Sequence, residues 1–232
     1  MNINKHLILL FSVLFFLFAV SVSSGCFRKN ESDVKSVVRN ELDQLKNLDS
    51  ETTQKYIPYT ELFPDATENT DLTDEINETF SLFFRKFNYK ISDVIVGTTN
   101  HSATVSVKLT TIDSKVLARD FKAELLRTQI TESAQAQTGS IKDSSRSLEA
   151  HYLILNHLLN TNDYDTAETD CNIQLVNTGN DKKEKWKIQR TNSLEDDLVG
   201  GLIADLADPD ILSPEDTLTV YLDTLQKLDL KE

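Results

Sequence analysis

The chain has 232 residues, with 24 Lys and Arg against 37 Asp and Glu, a formal net charge of −13, and 2 cysteines. That length builds one domain of ordinary size, or one domain and a fragment. The acidity, with no basic patch standing out, argues against a nucleic-acid partner and against attraction to anionic lipid headgroups, and two cysteines are too few for a disulfide scaffold or a thiolate metal centre.

Residues 1–25 open with Lys5 and His6, run apolar from Leu7 to Val20 and end small at Ser21-Val22-Ser23-Ser24-Gly25. Charged start, apolar middle and small-residue exit are the parts of a secretory signal, and the apolar run is shorter than the ~20 residues of a spanning helix. Ser24-Gly25-Cys26 resembles the end of a bacterial lipobox, although Ser23 stands where that pattern prefers an aliphatic residue. The resemblance implies that Cys26 receives a diacylglyceryl anchor, with acyl groups such as palmitate, and becomes the mature N-terminus on the extracytoplasmic face of the cell membrane. Cleavage after Ser23 or Ser24 is the alternative; it would give a secreted protein in which Cys26 is free to pair with Cys171.

Residues 26–32 form a tether. From Asp33 the spacing predicts a helix with Val34, Val38, Leu42, Leu45 and Leu48 on one stripe. Pro58 and Pro64 bracket a loop that carries Tyr59 and Phe63, with Tyr56 just before it. A second helix from about Asp71 aligns Leu72, Ile76, Phe80, Phe83 and Phe87, a stripe suited to the core or, less simply, to lining a ligand pocket. Val94 and Val96 lead through Gly97–Asn100 into Ala103, Val105, Val107 and Leu109, which alternate with polar residues as a half-buried strand does. Helical periodicity returns at Val116, Leu117, Phe121 and Leu125, running to about Ala136, and again over Leu148–Leu159.

Cys171, Ile173 and Leu175, then Trp186 and Ile188, alternate with polar partners around Asn177–Asp181, whose Gly, Asn and Asp suit a hairpin turn. Trp186, Ile188, Phe80, Phe83 and Phe87 are therefore the expected structural core. Ser193 is the expected cap of a further helix with Leu194, Leu198 and Leu202, running through Val199-Gly200-Gly201 to Pro209.

This order predicts an α+β domain over 33–208, a curved antiparallel sheet of two hairpins packed against helices with a helical pair inserted between the hairpins. HSATVSVKLTTID, NIQLVNTGNDKKEKWKIQR and NSLEDDLVGGLIADL are similar to segments of small Gram-positive lipoproteins with a nuclear transport factor two-like, or cystatin-like, domain. That resemblance implies a sheet wrapped round a long helix and an envelope address, and most such lipoproteins have no assigned activity.

Candidate chemistry is sparse. His101, His151, His157, Asp163, Asp165 and Asp170 are the titratable residues placed to matter. His151 and His157 are six apart on one helix, the wrong spacing for a metal pair, and the acidic stretch from Asn160 to Cys171 lacks the central Gly and terminal Glu of a calcium loop. Neither a metal nor a cofactor is expected. Asn30, Asn77 and Asn100 head Asn-x-Ser/Thr triplets of the kind that chance supplies in such a chain.

Two readings follow: a non-catalytic membrane-tethered module that binds a small ligand, a peptide or an envelope protein, or an enzyme or small-ligand carrier that uses a cavity between sheet and helices. LDQLKNLD at 42–49 returns as LDTLQKLD at 222–229. Residues 209–232 are thus expected to be a C-terminal helix, either the start of a truncated second copy or a helix left over from a tandem ancestor, with Leu218, Tyr221, Leu222, Leu225 and Leu228 on an open stripe.

Overall fold

A computed structural model describes residues 30–57, 62–64, 66, 72–99, 101–136, 145–179 and 184–229. In chain order the elements are α1 (30–46), α2 (Ser50–Tyr56), α3 (Thr73–Phe84), β1 (Asn88–Val96), β2 (Ser102–Ile112), α4 (Ser114–Ala136), α5 (Leu148–Thr161), β3 (Thr166–Asn177), β4 (Trp186–Ile188), α6 (Asn192–Leu198), α7 (Leu202–Ala207) and α8 (Pro214–Asp229). The fold is α+β, a four-stranded antiparallel open sheet in the order β1-β2-β3-β4 packed against helices. Cys26, Tyr59, Asn100 and the turn residues Asn180 and Asp181 lie outside the described residues.

The strands follow the alternation of their sequences. Ala103, Val105, Val107 and Leu109 of β2 are buried, as are Cys171, Ile173 and Leu175 of β3. The β3–β4 hairpin sets Leu175 opposite Ile188 and Asn177 opposite Trp186. Asn177 closes it: its Oδ1 accepts from the backbone N–H of Gly179 at 2.9 Å and of Lys185 at 3.0 Å. Trp186 is buried, with its indole N–H donated to Glu184, whereas Ile188, expected in the core, is only half-buried because β4 ends there as an edge strand. β1 starts at Asn88, well before the Val94 and Val96 that mark it in the sequence, and none of its residues is fully buried.

The chain divides into two compact units, and β1, β2 and β3 each run through both. The first holds the described residues within 30–40, 91–106 and 172–189, with Val34, Val38, Val105, Ile173, Leu175 and Trp186 among its buried side chains. The second holds those within 41–90, 107–171 and 190–229. There α3 packs on α5, and α4 packs on α5, α7 and α8. Phe80, Phe83 and Phe87 are all buried, and their rings meet Phe84, Tyr152 and Tyr89 at centroid separations of 5.3–6.5 Å.

Three local expectations are corrected. Leu48 does not join the α1 stripe: it adopts φ +62°, which ends the helix and turns its side chain outward, and Asp49 then caps α2 by accepting from Thr52 N–H. Thr191 rather than Ser193 caps α6, its hydroxyl accepting from Leu194 N–H at 3.2 Å. The helix expected through Gly200-Gly201 breaks there into α6 and α7, at φ +66° and +90°. A Cβ on Gly200 would lie 2.2 Å from Thr111 Oγ1, so this bend needs glycine for its close approach as well as its dihedral. The buried Ser114 hydroxyl, 2.6 Å from Gly200 O and 2.7 Å from Asp205 Oδ2, ties the start of α4 to the bend.

At the C-terminus, Ser213 caps α8 by accepting from Asp216 N–H at 3.1 Å, and Pro214 takes the first helical position. Val220 and Thr224 are the buried positions of this helix. Of the expected open stripe, Leu218, Tyr221 and Leu222 are exposed, while Leu225 and Leu228 are half-buried.

Candidate functional site

The bend at Gly200-Gly201 fixes where α7 points. Asp196 caps that short helix, its Oδ1 accepting from Ile203 N–H at 2.9 Å and Ala204 N–H at 3.2 Å. One face of α7 then presents Ile203, Leu206 and Ala207 to a cavity of about 260 Å³. Across it α4 supplies Phe121, Lys122 and Leu125, with Leu125 four residues on from Phe121 and three from Lys122 and so a surface neighbour of both. Helix α5 adds His151, and the segment at 62–66 adds Leu62 and Phe63, both buried.

One wall is aromatic. Phe63 stacks on Phe121 at 5.1 Å and 27°, and the His151 ring lies 4.9 Å from Phe63 and 5.6 Å from Phe121. Tyr152 meets Phe63 edge-on at 5.4 Å. Such pairs add to area burial and hold the wall rigid. The cap of α5 orients the histidine: Ser147 accepts from Ala150 N–H through its hydroxyl, while its carbonyl lies 2.8 Å from His151 Nδ1. Nδ1 therefore donates, which leaves the lone pair on Nε2. Burial, opposed by the Ser147 carbonyl and assisted by the charge of Lys122, lowers the His151 pKa below its ordinary 6.5, so the ring is neutral at pH 7.

Lys122 is the one cationic side chain among the described residues of the lining. Elsewhere on α4, Arg119 lies 3.5 Å from Asp120 and Arg127 lies 2.8 Å from Glu124. Lys122 is half-buried and has no ion-pair partner among the described residues.

The other candidates are engaged structurally or solvated. His101 and His157 are exposed. Asp163 pairs with Lys86 at 2.5 Å, and this hydrogen bond and charge hold its carboxyl below the usual carboxylate range. Asp170 lies 3.9 Å from Lys108, and Asp165 accepts from Asp113 N–H through its backbone carbonyl. Three of the four acids in the stretch from Asn160 to Cys171, Asp163, Glu168 and Asp170, thus lie against lysines, and no group of three His, Cys, Asp or Glu among the described residues is placed to hold a metal ion.

Beside that stretch lies a cavity of about 400 Å³ lined by Arg85, Lys86, Asn162, Asp163 and Tyr164, where the polar groups largely serve one another: Asn162 donates to the Tyr164 hydroxyl and Tyr164 donates to Asp120. Cys171 is buried, and burial together with Asp197 pushes its thiol up to about 12, so it is neither a nucleophile nor a ready disulfide partner. Asn77 lies within α3.

Sequence reasoning reached His151 and Phe121 but not Lys122, which has charged residues on both sides in sequence and no motif around it. The signal that would have found the pocket is the pairing of α4 with α7, which depends on the Gly200-Gly201 bend. No helix among the described residues is long and apolar enough to cross a membrane. No family model, curated protein or solved structure matches the chain.

Proposed function

We propose that the protein is a lipid-anchored, extracytoplasmic binding module, held to the cell membrane through Cys26 and working without turnover. The observation that carries the binding half is the cavity between α4, α5, α7 and residues 62–64 and 66, where Lys122 is the one cationic side chain of a described lining that is otherwise mostly apolar and aromatic. Its described lining contains neither a carboxylate nor a hydroxyl or thiol nucleophile beside His151, so a general base without a partner is all the chemistry it offers. The anchor rests on the signal-like residues 1–25 and on Ser24-Gly25-Cys26. The α+β sheet of two hairpins supports a nuclear transport factor two-like or cystatin-like assignment, in which unrelated binding functions share one scaffold. A carrier role for a small ligand is the same reading with release added; an envelope protein or peptide would be the alternative partner.

Two measurements test this. Mass spectrometry of the mature N-terminus should show a diacylglyceryl cysteine at Cys26, and Cys26→Ala should move the protein from the membrane fraction to the medium; an unmodified N-terminus would remove the anchor. For the pocket, phenylacetamide, a neutral aromatic probe, should shift the methyl NMR signals of Leu125, Ile203 and Leu206 in the full chain held in nanodiscs. Unchanged methyl signals at saturating probe would remove the binding reading.

A further inference from the structure

We infer that the pocket takes a small monocarboxylate with an aromatic or branched apolar body, its carboxylate paired with Lys122 and its body against Phe63, Phe121 and His151. This rests on the binding reading above and names the ligand class for it.

Size comes first. A dry apolar cavity of ~150 Å³ accommodates one benzene ring, so about 260 Å³ holds a ring with a short side arm and little more. Polarity comes next. Nine of the eleven described lining residues carry apolar or aromatic side chains, which favours a ligand with an apolar body.

Charge decides the rest. A cation would meet Lys122 at close range in a partly desolvated wall and be repelled, and a neutral ligand would leave that ammonium as it is now, without an anionic partner. One cationic group matches one negative charge. A phosphate dianion would carry an uncompensated charge into the pocket, because the neutral His151 supplies no second cation and presents a lone pair at Nε2. A carboxylate at Lys122 with an apolar body on the rings satisfies each surface with its own kind. The overall charge of −13 sharpens the point: in a chain where acids outnumber bases, a half-buried lysine on an aromatic pocket has no ion-pair partner among the described residues.

The test compares three isosteric probes on the full chain in nanodiscs: phenylacetate, phenylacetamide and phenethylamine, followed by the methyl signals of Leu125, Ile203 and Leu206. Phenylacetate should bind about tenfold more tightly than the amide, the size of effect expected for a charge-assisted hydrogen bond, and phenethylamine should bind worst. Lys122→Gln should erase the advantage of the acid while leaving the amide unchanged, and Lys122→Arg should keep it. Equal affinity of acid and amide, or a preference for the amine, would overturn the carboxylate assignment while leaving the pocket in place. If none of the three shifts those methyls, the binding reading itself fails, and this inference with it.

Discussion

Helices α3 and α8 carry the same kind of apolar stripe and meet different fates. On α3, Ile76, Phe80, Phe83 and Phe84 are all buried, with α5 alongside and the ring of Tyr152 6.4 Å from Phe80. On α8, Val220 and Thr224 face inward toward α4 while Leu218 and Leu222 remain 58% and 55% exposed. Periodicity fixes where a stripe lies on a helix, but only a partner surface of matching width buries it. The buried positions of α4, the partner of α8, fall between Ser114 and Ala123, and the apolar residues of its later turns, Leu125, Leu126 and Ile130, stay half-buried. Around the junction lies an open groove of about 730 Å³ lined by Leu126, Pro209, Leu212, Pro214, Leu218 and Tyr221.

The comparison can be broken most decisively at Phe84, which is buried against Phe80, Phe83 and Phe87. Truncation to Ala should cost about 3 to 5 kcal/mol, a loss that urea denaturation would register as unfolding at much lower denaturant. An effect below about 1 kcal/mol would mean that the α3 stripe is no core at all. Val220→Ala removes two methyl groups from the inward face of α8, and about 2 kcal/mol is expected in the same assay. A neutral outcome there would show that α8 contributes nothing to the second unit and would favour the view of it as a vestigial repeat.

Smaller again is the response of His151 to acid. Its folded pKa lies below the unfolded value of 6.5, so the unfolded chain binds the extra proton first and stability falls as pH drops through and below 6.5. The groups facing the ring are the Ser147 carbonyl on α5, Lys122 on α4 and the Phe63 and Phe121 rings; burial and the Lys122 charge oppose the added proton, and the carbonyl favours it. Urea midpoints at pH 7.5 and 5.5 should differ less in His151→Phe than in the parent chain; equal slopes would contradict the buried placement. The least effect belongs to Leu222→Glu on the open side of α8. There, stability should move by less than about 0.5 kcal/mol.

What the sequence made legible follows the same division. The alternation in β2 and β3, the α3 stripe and the hairpin that carries Trp186 are local patterns, and each matches the element found. Leu48, Thr191 and the Gly200-Gly201 bend were misread because their roles depend on a neighbour or a dihedral that spacing does not encode: Thr111 sits where any side chain on Gly200 would go. For the pocket, Phe63, Phe121 and His151 were each visible as residues and none as part of a wall, since they come together from three separate parts of the chain.

β1 closes one side of the sheet with nothing beyond it in the strand order, and Ile95 on it is 61% exposed. With no further strand beside it among the described residues, this nine-residue edge is a template on which a second chain adds a strand. Lys90 and Asp93 lie exposed along that edge, so a copy arriving antiparallel or parallel must desolvate charge before its first ladder bond forms. Removing both charges would turn a tolerated edge into a seed for fibrous assembly.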